Sequence, residues 1–148
     1  MIVVALDGPS GSGKSSTSKS IAIRAGWNYL DTGALYRAMT FLALSIKSED
    51  PKEIISAVID SPISFNSDPR DPKVFLDGRD ISKEIRSHEV TEKVSVISAL
   101  PEVRAELLTL QRSIINKADR GIVVEGRDIG TVVSVSYTHL RAHETLMN

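Results

Sequence analysis

Residues 2–15, IVVALDGPSGSGKS, decide the fold. The apolar run at residues 2–6 stops at a glycine cluster, as a buried strand does when helices cover both faces of a parallel sheet. From Lys14 to Ala25 the pattern is helical, and Gly26 stands where a glycine ends a helix. A strand, a glycine-rich loop and a helix in this order predict an α/β fold built on a parallel sheet.

The glycine-rich loop is predicted to bind phosphate. Residues 8–15 match the P-loop pattern G-x-x-x-x-G-K-[ST] at every fixed position. Its glycines let backbone N–H groups turn inward around an anion, and the helix N-terminus adds roughly half a positive charge. Lys14 is placed to reach the β and γ phosphates, and Ser15 to ligate Mg²⁺. A chance glycine-rich turn is disfavoured by the flanking strand and helix. The residues predicted to bind the nucleoside triphosphate are Gly8, Pro9, Ser10, Gly11, Ser12, Gly13, Lys14, Ser15 and Ser16.

Composition excludes several classes of protein. The chain has 148 residues, 41% of them hydrophobic, which indicates one ordered domain. Eighteen Lys and Arg against 19 Asp and Glu give a net charge of −1, so nothing favours a nucleic acid or an acidic membrane surface as partner. Cysteine is absent, which excludes disulfides and thiolate zinc sites. No apolar stretch approaches the ~20 residues of a membrane span, and no targeting signal is visible, so we expect a cytoplasmic protein.

The rest of the chain continues the α/β pattern with an insertion. Asp77-Gly78 lies between strand-like runs and is typical of a hairpin turn, so residues 62–82 are predicted to form a small antiparallel insert. Asp50-Pro51 supplies a helix N-cap and a proline at the first helical position. The further predicted elements are helices at 33–46, 51–59, 89–99 and from Pro101 onward, and a buried strand at 122–124.

Three arginines are candidates for holding an anionic acceptor. They are Arg37, Arg104 and Arg127, and each alone resembles an ordinary surface arginine. Arg127 is favoured because it follows an apolar strand, and ligands bind at the carboxyl ends of parallel strands. Glu125 and Asp128, which flank it, either orient Mg²⁺ through water or cap a turn, and the sequence favours neither role.

Five segments together resemble the bacterial cytidylate kinase family. They read DGPSGSGKSS, LDTGALYR, LDGRDIS, EIRSHEVTEKVSVISALPEVR and VVEGRDIGTVV, in this order, within residues 2–133. The resemblance implies a three-layer P-loop NTPase fold whose residues 62–98 form the monophosphate-binding insert. It also implies transfer of the γ-phosphoryl group of ATP, with Mg²⁺, to CMP or dCMP in pyrimidine nucleotide metabolism. The partners are then small nucleotides only, and the complete protein is expected to be a monomer.

The resemblance assigns individual roles where residues match. Lys14, Arg127 and Asp128 are the implied catalytic residues. The implied acceptor-binding residues are Thr32, Tyr36, Arg37, Ser95, Arg104, Arg127 and Asp128. Thr32 would lie near the cytosine and ribose phosphate, Arg37 on the CMP phosphate, and Ser95 at the pyrimidine edge. By residue type alone, Thr32, Tyr36 and Ser95 would be taken for ordinary polar residues of a helix or core.

Residues 134–148, SVSYTHLRAHETLMN, depart from the family pattern. Family members continue here into another core strand, an arginine-rich lid, and a final strand and helix. We therefore expect residues 1–133 to form the kinase core, residues 134–148 to be a non-family tail, and the fold to be incomplete at its C-terminus and marginally soluble. A truncated coding frame joined to foreign sequence would explain the tail. His139 and His143 have metal-ligand spacing for a helix, but residue 140 is not the glutamate of the zinc-protease pattern.

Three alternatives to a (d)CMP kinase stay open. Another monophosphate kinase, with AMP or UMP as acceptor, is disfavoured by the LDTGALYR and EGRDIG segments. A nucleotide-binding module without transfer activity is favoured by the missing lid, which supplies charge-stabilising arginines and excludes water. A switch GTPase is the least favoured of the three alternatives.

Overall fold

The chain forms an α/β structure with two separate sheets. The computed structural model describes residues 1–8, 13–127 and 138–143. Its elements are β1 (Ile2–Asp7), α1 (Lys14–Ala25), β2 (Asn28–Asp31), α2 (Thr32–Ser45), α3 (Pro51–Asp60), β3 (Ile63–Asn66), β4 (Lys73–Leu76), β5 (Arg79–Asp80), a 3₁₀ turn (Glu84–Arg86), α4 (His88–Ser98), α5 (Pro101–Asn116), β6 (Gly121–Gly126) and β7 (Thr138–His143). Among these described residues, no helix combines the length and apolar character that crossing a membrane requires.

The larger sheet is parallel and carries the order β2-β6-β1-β7. β6 lies between β1 and β2, with Ile2 opposite Gly121 on one side and Asn28 opposite Ile122 on the other. Every residue of β6 is buried, as expected for a central strand covered on both faces. The predicted α/β fold of P-loop type, with a parallel sheet and a small antiparallel sheet, is confirmed.

Two strands of this sheet were not expected from the sequence. β2 is only four residues long and begins with a polar asparagine, so it gives little apolar signal. The expectation that residues 134–148 add no core strand is wrong for β7, which pairs in parallel with β1 from Ile2 opposite Thr138 to Asp7 opposite His143. Pairing at a strand edge uses main-chain N–H and C=O groups, which any sequence without proline offers. His139 and His143 therefore lie in a strand rather than a helix.

The chain divides into two compact units. Unit 1 comprises Met1–Gly33, Ser67–Pro72 and Gln111–Asn148, and unit 2 comprises Ala34–Asn66 and Lys73–Leu110. Unit 1 contains the parallel sheet and α1, and its loop from Ser67 is attached to β2 because the Tyr29 N–H donates to the Ser67 carbonyl at 2.9 Å. Unit 2 includes more of the sequence than the insert expected at residues 62–98.

Unit 1 contains one close approach between an aromatic ring and the main chain. A Cβ atom at Gly121, the first residue of β6, would lie 2.8 Å from Cδ2 and Cε2 of Trp27 and 2.9 Å from its Cγ. Carbon atoms normally stay about 3.5 Å or more apart. Glycine is therefore required here so that the Trp27 ring can lie flat on the start of the central strand.

Unit 2 follows the local chemistry of its sequence. The Asp50 carboxylate accepts a hydrogen bond from the Lys52 N–H at 3.0 Å and Pro51 opens α3, as predicted. β3, β4 and β5 form the expected antiparallel sheet, with Ile63 opposite Leu76. Asp77 and Gly78 form its hairpin turn with φ of 52° and 79°, the positive values that a two-residue turn of the primed type needs.

Candidate functional site

Polar side chains of unit 1 gather at one edge of the parallel sheet. β1, β2 and β6 all end at this edge, and the Gly8 N–H donates to the Gly126 carbonyl at 3.2 Å, so the phosphate loop starts beside the end of β6. Lys14, Ser15, Tyr29, Thr32 and Glu125 all stand within or next to these ends. This is the position at which open α/β sheets bind ligands.

α1 begins at the end of the predicted phosphate loop. Gly13 is its N-cap with a φ of 80°, a conformation that other residues rarely adopt, and a glycine has no side chain with which to cap the helix. The first turn of α1 also carries no acidic residue. Its N–H groups and the positive end of the helix are therefore available to an anion such as a phosphate. Of the predicted loop residues, Pro9, Ser10, Gly11 and Ser12 lie outside the described residues.

The Lys14 ammonium is held inside this loop. Its side chain is buried, with 8% exposed, and Nζ donates a hydrogen bond to the Gly8 carbonyl. The lysine thus reaches from the end of the loop back to its beginning. Its charge adds to the field of the helix N-terminus at the same place, which supports the predicted role in holding phosphate.

Glu125 is the centre of a hydroxyl cluster, which we define as Ser15, Tyr29, Thr32 and Glu125; Ser15 is exposed, and the other three residues are buried. Only 2% of Glu125 is exposed. Ser15 Oγ donates to Glu125 Oε2 at 2.9 Å, and the Tyr29 hydroxyl donates to Oε1. Thr32 Oγ1 donates to the Glu125 main-chain carbonyl at 3.0 Å. Both the side chain and the backbone of Glu125 are therefore fixed by neighbouring hydroxyls.

Burial raises the pKa of two residues in this cluster, Glu125 and Tyr29. Desolvation raises the pKa of Glu125, an effect that the hydrogen bonds from Tyr29 and Ser15 and the charge of Lys14 oppose. Desolvation also raises the pKa of Tyr29, and the neighbouring carboxylates of Asp31 and Glu125 raise it further. Tyr29 therefore stays protonated and acts as a hydrogen-bond donor.

The donor set fits a hard divalent cation. Magnesium prefers oxygen ligands, and Ser15 offers a hydroxyl whose proton is directed to Glu125 while its residue remains exposed. The carboxylate contacts place Glu125 at the phosphate loop rather than at a turn. Within residues 1–8 and 13–127, no group of three or more His, Asp or Glu side chains could hold a metal by itself. Ser15, with Glu125 behind it, is thus the part of the described chain best suited to Mg²⁺ bound together with phosphate.

The other predicted site residues are distributed over both units. Arg127 is exposed and directly follows β6, at the edge of the sheet where β1, β2 and β6 end. Its predicted partner Asp128 lies outside the described residues. In unit 2, Arg37 Nη1 donates to the Ile85 carbonyl at 3.1 Å and to Thr91 Oγ1 at 3.0 Å. These two contacts fix the direction of its guanidinium.

The remaining acceptor-side residues also belong to unit 2. Tyr36 precedes Arg37 on α2 and is partly exposed, while Ser95 on α4 and Arg104 on α5 are exposed. Each is open to solvent, so the side chains are free to meet a ligand. Their roles stay predictions.

Tyr29 is the site residue that sequence reasoning missed. Its contact with Glu125 joins positions 96 residues apart, and no local pattern predicts such a contact. The short segment Asn28–Asp31 was not recognised as a strand. Had it been, the alternation of a strand would have placed Tyr29 and Asp31 on the same face, pointing at the neighbouring strand's functional end.

Known proteins resemble this chain over most of its length. A family model described as cytidylate kinase matches residues 4–139, which passes the boundary expected at residue 133. The chain is 52% identical over 134 residues to a cytidylate kinase of Streptomyces avermitilis, covering 89% of this chain and 58% of the relative. The corresponding protein of Corynebacterium glutamicum is 50% identical over 136 residues, covering 90% and 59%. The chain therefore spans somewhat more than half the length of these curated relatives.

Proposed function

The chain belongs to the cytidylate kinase family, and from this premise we propose that it transfers the γ-phosphoryl group of ATP to CMP or dCMP. The products are ADP and CDP or dCDP. The observation that carries the proposal is the start of α1, where the helix N-terminus, the buried Lys14 and the Ser15–Glu125 pair converge. Together these groups form a binding site for polyphosphate.

On the donor side, positioning and charge account for the proposed chemistry. The N–H groups at the start of α1 and the Lys14 ammonium hold the ATP phosphates and stabilise the charge that develops during transfer. Ser15 and Glu125 are the residues that would hold Mg²⁺. When bound, this ion supplies further neutralisation of the phosphate oxygens.

On the acceptor side, arginines are proposed to hold the monophosphate. Arg37, Arg104 and Arg127, with Asp128, present CMP for in-line attack. Ser95 reads the pyrimidine edge, and Tyr36 completes the acceptor-binding segment that contains Arg37. The acceptor phosphate is already ionised, so the reaction needs no dedicated general base. Thr32 gives its proton to the Glu125 carbonyl, and it would therefore contact a nucleotide as a hydrogen-bond acceptor.

The proposal also covers the setting of the reaction. Residues 62–98 are proposed as the monophosphate-binding region, and the protein as a cytoplasmic monomer of pyrimidine nucleotide metabolism. The net charge of −1 supports small nucleotides rather than nucleic acids as its partners.

The test is ADP release from ATP and Mg²⁺ in the presence of CMP, dCMP, AMP or UMP. We expect turnover that depends on CMP or dCMP. Lys14→Ala should reduce it by about 100-fold or more, the usual effect of removing one charge-stabilising donor. Lys52→Ala is the matched control, because Lys52 is an exposed lysine of α3 in unit 2. ATP hydrolysis without an acceptor, a preference for AMP or UMP, or an equal effect of both lysine variants would contradict the proposal.

A further inference from the structure

Tyr29 is a buried side chain whose hydroxyl the proposed reaction does not use. Only 1% of the residue is exposed, and its hydroxyl donates to Glu125 Oε1. A phenylalanine would fill nearly the same space without burying a polar atom, and burying a hydroxyl costs free energy unless it is bonded. The position therefore holds a tyrosine at a cost in free energy that its hydrogen bonding must offset.

The partner connects Tyr29 to the phosphate loop. Glu125 has two carboxylate oxygens, and Tyr29 occupies one while Ser15 occupies the other. A hydrogen bond to a charged carboxylate is shorter and about twice as strong as a neutral one. Donation from Tyr29 to Oε1 therefore fixes the plane of the carboxylate and turns Oε2 toward Ser15.

We propose that Tyr29 is a positioning residue for the cation site, acting through Glu125 on the Ser15 hydroxyl. With Oε2 held in place, the Ser15 proton points to the carboxylate, and the lone pairs of Ser15 Oγ point away from it. These lone pairs are the ones a divalent cation needs. The inference rests on the proposed function, because it assumes that Ser15 meets Mg²⁺ together with ATP.

The backbone keeps this arrangement in register. β2 and β6 pair directly, with Tyr29 opposite Val123 and Asp31 opposite Glu125. Thr32, which follows β2, binds the Glu125 carbonyl. β2 thus holds the main chain of Glu125 at one point and its side chain at another, so the carboxylate has little freedom to leave Ser15.

The experiment measures how much Mg²⁺ strengthens ATP binding. The dissociation constant for ATP is determined by calorimetry with Mg²⁺ and with a chelator. The Mg²⁺ ratio, which is the constant in chelator divided by the constant with Mg²⁺, is compared among variants. We expect Tyr29→Phe to reduce this ratio about 10-fold, the lower end of the effect of removing a partner of a metal ligand. ATP affinity in chelator should change less than about twofold, since the loop donors and Lys14 are untouched.

Two controls separate the hydroxyl from the ring and from general stability. Lys19→Met removes the ammonium that lies 5.9 Å from the centre of the Tyr29 ring and keeps the hydroxyl. Ile122→Val weakens the packing of the fully buried strand β6 without touching the hydroxyl cluster. Both should keep the wild-type ratio. A reduced ratio in either control would show that packing, and not the hydroxyl bond, sets cation binding, and would overturn the proposal.

A double-mutant cycle tests the route through Glu125. In a Glu125→Gln background, Tyr29→Phe should leave the Mg²⁺ ratio unchanged within about twofold, because its partner is already altered. An unchanged ratio in Tyr29→Phe alone would overturn the proposal. So would an equal loss in both backgrounds, since Tyr29 would then act directly on Ser15.

A second measurement separates this proposal from the proposed function. If the wild-type chain binds no ATP, the proposed function fails. Urea unfolding of the four proteins in the cycle, followed by the fluorescence of Trp27, then decides the coupling. A shift of the midpoint in the double variant smaller than the sum of the single shifts supports the Tyr29–Glu125 unit, and additive shifts overturn it.

Discussion

Gly121→Ala should destabilise unit 1 through a single clash. The added Cβ would lie 2.8 Å from two atoms of the Trp27 ring and 2.9 Å from a third. These distances are about 0.7 Å shorter than ordinary carbon contacts. Overpacking of this kind costs typically 1–3 kcal/mol, and the lower entropy of an unfolded alanine offsets only about 0.4–1 kcal/mol. We expect a net loss of about 1.3 kcal/mol, which lowers Tm by roughly 3–5 °C in a chain of this size.

Urea unfolding followed by the single tryptophan measures this loss directly. The control repeats Gly121→Ala in a Trp27→Leu background, with unfolding followed by circular dichroism. Removing the ring should recover most of the lost stability, because the clash partner is gone. Full wild-type stability of Gly121→Ala, or an equal loss in the background without the ring, would refute the reasoning from this contact.

Two further predictions concern a helix cap and the buried acid. Asp50→Ala should lower the free energy of unfolding by about 1 kcal/mol, because the Lys52 N–H loses its acceptor, and Asp50→Asn should retain most of the stability; equal losses in urea unfolding would contradict the capping role. Burial raises the pKa of Glu125 above its unfolded value, so its contribution to stability is fully present below that unfolded value, about pH 4.3, and is lost as pH rises through the folded pKa. As pH rises from about 4 to 7, the urea midpoint of the wild type should therefore fall more than the midpoint of Glu125→Gln. Midpoints that change in parallel with pH would contradict this prediction.

The sequence predicted those parts of the fold that depend on local chemistry. The start of α1 after Gly13, its end at Gly26, the Asp50 cap and the turn at Asp77 and Gly78 lie where the residue types require them. Each of these features involves residues only a few positions apart. Their backbone conformations follow from glycine, proline and short polar side chains, and the neighbouring structure does not alter them.

The parts that could not be predicted depend on distant segments. β2 and β7 are held by main-chain pairing with other strands, and their own residues carry little apolar pattern. The contact between Tyr29 and Glu125 arises only because β2 and β6 become neighbours. For Thr32, the resemblance indicated a contact with the nucleotide, but nothing in the sequence indicated that its proton serves the Glu125 carbonyl.

The strand order also has a consequence for synthesis. β1 and β2 leave the ribosome within the first 31 residues, yet each pairs with β6, which is not translated until residues 121–126. Until then the nascent chain carries two strands without their shared partner β6, and Glu125, which accepts hydrogen bonds from Ser15, Tyr29 and Thr32, has not been made. The chaperones that shield emerging strands therefore have most of the translation time in which to act on this chain, and the phosphate loop acquires its neighbours in one late step.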